Sequence, residues 1–215
     1  MMALADVWAE YLKFFVGLIA ILNPIGVIPI FINLTHGYSV EERNHTAKLT
    51  GLSVGAVMLV GLIAGEYILN VFGISIASFR VGGGILILLM AISMMNATVS
   101  PARQTSEEAR EAVLKENVAV VPLAIPLIAG PGAISTVIVY ANRAAEYSHQ
   151  LILGGGIIVV ALLVWLIFRM AQPLANRLGR TGINVVTRIM GLIMAAIGVE
   201  FMANGLKGLF PVLAG

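Results

Sequence analysis

Two short stretches carry the residue types on which binding chemistry could be built. One is Asn23-Pro24-Ile25-Gly26, within Ile21 to Pro29, and the other is Gly130-Pro131-Gly132-Ala133. Each interrupts an apolar run long enough to cross a bilayer. Proline lacks a backbone donor and clashes with the carbonyl one turn back, so it breaks or kinks a helix. In hydrocarbon every backbone group freed this way needs another partner, so such a break faces protein or a water-filled cavity. The break leaves carbonyls at the end of one half-helix and N–H groups at the start of the next. The helix dipole adds roughly half a negative and half a positive charge at those ends. Two such breaks suit a small zwitterion. Its carboxylate can take the N–H ends at Gly26 or Gly132, and its ammonium the carbonyl ends near Leu22 or Ala129. Asn23 offers both donor and acceptor, Ser135 and Thr136 add hydroxyls, and glycine lets backbone approach a ligand. The candidate substrate-binding set is therefore Asn23, Pro24, Gly26, Gly130, Pro131, Gly132, Ser135 and Thr136. The competing interpretation is a pair of kinks packed by neighbouring helices with no ligand. A single membrane proline favours it; two matched breaks in two halves favour a transporter-type site.

The elements that must position these residues follow from composition. Of the 215 residues, 59% are hydrophobic and only 11% charged, and the mean hydropathy is +0.97. Ordinary soluble domains carry about a quarter charged residues, so the chain is a polytopic membrane protein. Six segments reach the roughly 20 apolar residues a spanning helix needs. They are about Tyr11–Leu34, Lys48–Phe72, Ile74–Asn96, Val118–Asn142, Leu151–Met170 and Val185–Phe210. They are continuous runs rather than ten-residue alternating strands, which argues against a β-barrel. The expected fold is an all-α membrane protein of six transmembrane helices, the first and fourth broken at Pro24 and Pro131.

The one long polar stretch separates segments three and four. Thr105 and Glu108 are spaced as a capping box, and Ala109 to Glu116 reads as a short charged helix tethering two halves. The N-terminus, with Asp6 and Glu10 ahead of a long apolar run, is expected to stay in the mature protein rather than be cleaved as a signal. The Lys and Arg residues in the connections after segments one, three and five number nine, against four on the other side. By the positive-inside rule the nine-bearing side is cytoplasmic and both termini face outward.

Ionisable residues within spans are costly and so are functional candidates. Glu66, Arg80 and Glu200 are the candidates for coupling or gating. Glu66 and Arg80 flank the short outer connection between segments two and three and could pair across it. Glu200 lies well inside segment six, either as a proton-coupling carboxylate or as the partner of Lys207 or an asparagine. Asn96 and Asn204 read as interhelical hydrogen-bonding or capping residues. Gly51 with Gly55, and Gly61 with Gly65, form small faces that allow close helix approach, within a protomer or between protomers.

Other chemistries lack their residues. Cysteine is absent, which removes disulfides, thiol redox and thiolate-held metal. His36, His45 and His149 fall in or near expected loops, read as solvated, and are not spaced as ligands on one helix, so no metal and no cofactor is expected. No basic cluster with interleaved aromatics points to nucleic acid. No phosphate-cradling glycine motif points to ATP hydrolysis.

The chain also repeats itself. A shift of 107 or 108 residues carries Pro24 onto Pro131, Arg80 onto Arg188, Gly83 onto Gly191, Met94 onto Met202 and Asn96 onto Asn204. Each half holds three segments, and an odd number turns the second half over in the membrane. This is the pattern of an inverted repeat, with repeat one at about 11–96, a cytoplasmic linker at 97–117 and repeat two at 118–210 of one transmembrane domain. The segments NPIGVIPIF, FGISIASFRVGGGIL, VVPLAIPLIAGPGAIS and TGINVVTRIMGL resemble the signature stretches of the MarC family of bacterial inner-membrane proteins, from about Lys13 to Pro211. The resemblance implies a multi-pass inner-membrane protein and a transporter or exporter of small neutral amino acids such as glycine or alanine. The lipid bilayer, a small zwitterionic solute and a coupling proton or sodium ion are its expected partners. The alternatives from other classes are a channel-like pore for ions or a small solute, and a non-transporting structural or assembly protein. An enzyme is not expected.

Overall fold

The computed structural model describes residues 4–96, 119, 124, 128–144 and 146–214. Within them the chain is helical and contains no strand. The helices are α1 (Leu4–Leu22), α2 (Pro24–Leu34), α3 (Val40–Val71), α4 (Ile76–Met95), α5 (Pro131–Ala141), α6 (Tyr147–Arg169) and α7 (Ala171–Leu209), followed by a 3-10 turn at Pro211–Ala214. Five stretches are long and apolar enough to cross a membrane: Trp8–Leu34, which joins α1 to α2, and α3, α4, α6 and α7; α5 is shorter. Of the expected fourth segment, the part from Ile128 onward is described continuously. The linker, its Thr105–Glu108 capping box and the helix expected at Ala109–Glu116 lie outside the described residues.

The first proline position interrupts a helix, and the second opens one. Helix α1 stops at Leu22, Asn23 adopts a left-handed conformation (φ 43°, ψ 58°), and α2 restarts with Pro24 in its first turn. Asparagine is among the few residues that tolerate this conformation, and proline at the first helical position has no N–H to orphan. In the second half Gly130 is extended (φ −73°, ψ 172°) and α5 opens with Pro131. Just before it, Ala129 N–H reaches the carbonyl of Ala124 at 2.8 Å, a five-residue, π-type bond of the kind that marks irregular helix.

Two helices start earlier than their apolar runs. Helix α3 begins at Val40 rather than near Lys48 because Ser39 and Glu42 form a capping box. The Glu42 N–H donates to Ser39 Oγ at 3.2 Å and the Ser39 N–H to Glu42 Oε2 at 2.7 Å. At 1.5 Å per residue its 32 residues span about 48 Å against ~30 Å of hydrocarbon, so its polar first turns project from the bilayer. Helix α7 begins at Ala171 rather than near Val185 and is interrupted at Gly179 (φ 61°, ψ 177°), a conformation essentially closed to residues with a side chain.

Glycine sets the packing of the spans. Helices α4 and α7 run antiparallel with their backbones in contact: a Cβ at Gly84 would lie 2.7 Å from the Gly198 carbonyl oxygen, and one at Gly198 would lie 2.9 Å from that of Gly84. Helices α3 and α6 also run antiparallel. A Cβ at Gly51 would lie 2.9 Å from the Ala161 carbonyl oxygen, so the Gly51–Gly55 face is used within the protomer. Gly61 and Gly65, lower on α3, face Ile134, Val137 and Ile138 of α5. In a bilayer, where apolar side chains gain little from leaving lipid, such close van der Waals approach is what holds helices together. Phe31 of α2 stacks on Phe168 of α6 at 4.7 Å, and Leu18, Ile21, Ile28, Ile87 and Met90 complete a buried centre.

His149 is not the solvated histidine its sequence position suggested. It is buried on the first turn of α6. Its Nε2–H donates to the Tyr140 carbonyl at 2.8 Å and its Nδ1 accepts from the Tyr11 hydroxyl at 3.1 Å. It ties the end of α5 to α1, a role visible only once those helices are side by side. Asn96 is the C-cap of α4, its N–H reaching the Ile92 carbonyl at 3.2 Å, as one of the two expectations for it had it.

Candidate functional site

A cavity of about 650 Å³ opens among α1, α4, α5 and α7. Each helix gives it one face, set by helical spacing. From α1 come Glu10, Lys13, Gly17 and Ile21; from α5 come Thr136 and Tyr140, with Arg143 in the turn after it; from α7 come Ile197, Glu200 and Asn204. Arg80 reaches in from the first turns of α4. From Lys13 to Ile21 the lining descends eight residues of α1, about 12 Å at helical rise.

The lining is apolar over much of its area but carries charged side chains from three of the four walls. At the mouth Glu10 pairs with Arg143 and, at 3.4 Å, with Lys13. The Arg143 guanidinium lies 3.9 Å over the Tyr140 ring. Glu200 accepts a 2.7 Å hydrogen bond from the Asn204 side chain on the next turn, so of its two proposed partners it has the asparagine. Arg80 differs: its Nε is buried and has no hydrogen-bond partner among the described residues. A buried donor left unmatched is costly, so half-buried Arg80 keeps at least this N–H for an acceptor.

The floor lies at the two helix breaks. A Cβ on Gly132 would meet Ile87 at 3.0 Å, Met90 at 3.3 Å and Ile21 at 3.8 Å. Ile21 stands two residues before Asn23, so the breaks are neighbours in space. Thr136 roofs the second break, its hydroxyl donating to the Gly132 carbonyl at 2.9 Å.

The breaks are not equivalent. Asn23 is buried, and its Oδ1 already accepts the Gly26 N–H at 3.3 Å. Gly26 is further closed in by Thr187 of α7, whose Oγ1 would lie 2.8 Å from a Cβ there. Gly130 has no side chain with which to cap α5. The N-terminal N–H groups of α5 are thus the ones whose positive end no side chain of the break itself neutralises.

Of the residues expected from sequence, Thr136, Arg80 and Glu200 line the cavity. Asn23, Pro24, Gly130, Gly132 and Ser135 are buried below it, with Gly26 and Pro131 half-buried. Ser135 packs on α4, 2.6 Å from where a Cβ of Gly83 would stand. Glu66 is exposed on α3 and does not line the cavity, and no ion pair joins it to Arg80 among the described residues. Their separation has a simple cause: Arg80 sits on the face of α4 turned to the cavity, while Glu66 points from α3 to the outside. Glu10, Lys13, Tyr140 and Arg143 belong to the lining although sequence reasoning passed over them. For Glu10 and Lys13 the signal was the three-residue spacing that puts them on one face of α1, and for Tyr140 the four-residue spacing from Thr136 on α5; Arg143 lies in the turn beyond that helix.

Comparison with known proteins agrees with the membrane architecture. The model of the MarC family of integral membrane proteins matches residues 8–210. The chain is 46% identical over 203 residues to the UPF0056 membrane protein YhcE of Escherichia coli K12, covering 94% of each chain. It is 38% identical over 200 residues to YvbG of Bacillus subtilis, covering 93% of this chain and 95% of that one. An archaeal relative from Pyrococcus abyssi is 35% identical over 207 residues, 96% of this chain and 99% of its own. No solved structure matches the chain. A family match over nearly the whole length, on a chain with five bilayer-length apolar stretches, leaves one conclusion: this protein is a multi-pass integral membrane protein and belongs to the MarC family.

Proposed function

We propose that the protein is a secondary transporter, an exporter of small neutral amino acids such as glycine or alanine, which alternates access around its two broken helices. One observation carries this reading: a cavity lined by charged side chains, among them Arg80 with its Nε unpaired, ends close to the helix starts at Pro24 and Pro131. Arg80 supplies positive charge for a carboxylate, with the uncapped start of α5 behind the cavity's inner end; Glu200 and Glu10 supply negative charge for an ammonium. The substrate needs both charges and little bulk, since Ile21 forms the floor, backed by Ile87 and Met90.

That closed floor also favours alternating access over a continuous pore. These three side chains are fully buried, so solute can pass only if the helices around the breaks rearrange. An inverted repeat supplies a means. Its support beyond the sequence offset is the pairing of corresponding elements: α3 packs on α6 and α4 on α7, while α2 meets α7 as α5 meets α4. In this reading six spans form two three-helix halves that rock about one site. The lysine and arginine count puts the cavity mouth and both termini outside the cytoplasmic (inner) membrane. Glu200 is the candidate proton-coupling group.

The test is counterflow in proteoliposomes loaded with unlabelled glycine or alanine, with a panel of other amino acids, at two pH values and with and without sodium. Accumulation of label that depends on internal substrate is expected. No exchange or counterflow for any small neutral amino acid would overturn the reading. Flux without competition or trans-stimulation would replace it with a channel.

A further inference from the structure

We propose that the seam between α3 and α6 binds an anionic phospholipid, independently of the cavity. Two depressions meet there. An apolar groove of about 350 Å³ runs along the seam between Leu52 and Leu59 of α3 and Ile158 and Leu162 of α6. At its end lies a second depression of about 290 Å³, lined by Asn44, His45, Lys48, Trp165 and Arg169. Lys48 and Trp165 line both, so an apolar trough runs directly into a basic head.

The groove has a structural cause. Gly51 and Gly55 hold α3 against Ala161 and Trp165 so closely that no α3 side chain fills the outer side of the seam. The larger residues on either flank stand up as its walls. An acyl chain fits such a trough without displacing protein contacts.

The head has the matching charge. Lys48 opens the apolar stretch of α3 and Arg169 closes that of α6, so both sit at the level of lipid head groups. Both are exposed, and neither forms an ion pair among the described residues. No carboxylate lines either depression. On the neighbouring first turn of α3, Glu42 is committed to the Ser39 cap. The Arg169 guanidinium stands 5.7 Å from the Trp165 ring, which keeps it over the seam. Lysine, arginine and tryptophan at a helix end also serve as plain interfacial anchors. An interhelical groove continuous with the cations is what an anchor does not need and a bound lipid does. Basic pockets between spans are a recurrent form of anionic head-group recognition.

The chain holds two tryptophans, and Trp8 is exposed in the first turns of α1, away from the seam. In a Trp8→Phe variant Trp165 is therefore a single fluorescent reporter. The full-length protein is placed in phosphatidylcholine vesicles, and phosphatidylglycerol or phosphatidylcholine with brominated acyl chains is added in increasing mole fraction. Brominated phosphatidylglycerol should reach half-quenching at a mole fraction ten- to thirtyfold lower. The preference should fall to about one in Lys48→Gln/Arg169→Gln and should survive in Arg169→Lys. Equal quenching by the two lipids would mean ordinary annular lipid and overturn the proposal, as would a preference untouched by the double variant. Protection of Trp165 from both lipids would overturn it in favour of a second copy of the chain on this face.

Discussion

The residue on which the first break turns is Asn23, and its replacement separates two effects that the structure combines. Asn23 holds a left-handed backbone and caps Gly26 through its side chain. Asn23→Ala removes the cap, typically worth about 1 kcal/mol, and places a Cβ-bearing residue without a compensating side chain in the left-handed region, at about 1–2 kcal/mol. The sum is about 2–3 kcal/mol. Asn23→Gly loses the same cap but adopts the left-handed conformation freely; it adds only the entropy of a more flexible unfolded chain, about 0.4–1 kcal/mol. Its sum is about 1.5–2 kcal/mol. The void left by the asparagine is nearly common to both, so the ordering rests on the backbone. Reversible unfolding in mixed micelles of increasing dodecyl sulfate, followed by near-ultraviolet circular dichroism, measures both variants. Alanine should be the more damaging by about 1 kcal/mol. Glycine equal to or worse than alanine would refute the backbone argument, and an alanine variant as stable as wild type would refute the cap as well.

Other perturbations address the packing and the cavity. Gly198→Val sets a branched side chain against the Gly84 carbonyl and should cost at least about 1–3 kcal/mol, read by the same unfolding assay, with Ala196→Val on the exposed lining as the tolerated control. Arg80→Gln should raise the KM for amino acid counterflow at least tenfold while the protein remains folded, since a charge-assisted hydrogen bond is worth roughly 1.5–3 kcal/mol. An unchanged KM would remove Arg80 from the site. Glu200→Gln should abolish the dependence of transport on external pH and preserve exchange at saturating substrate; pH dependence retained in that variant excludes Glu200 as the coupling group.

Much of the architecture is legible because its causes are local. Apolar length marks the spans, and proline preceded by a residue able to leave the helix marks the helix starts at Asn23-Pro24 and Gly130-Pro131, whereas Pro29 lies inside α2 without ending it. The early start of α3 was equally local: Ser39 and Glu42 carry the capping signature, but they lie outside the apolar run that delimited the segment. Gly179 is different. A glycine in a polar stretch has many uses, and only the backbone identifies it as the interruption of α7.

What the residues alone determined is that this chain spans a membrane and that helices start at Pro24 and Pro131; they also singled out Arg80 and Glu200 as charges within apolar segments. What only the tertiary structure decided is how those parts are turned toward one another. The rotation of each helix about its axis is set by distant contacts, Gly84 on Gly198 and Gly51 on Ala161 among them, and these bring Glu10, Arg143, Arg80 and Thr136 into one cavity while leaving Glu66 outside. The same packing distinguishes the two helix starts: Asn23 bends back to satisfy its own helix, and Gly130, having no side chain, gives α5 no such cap.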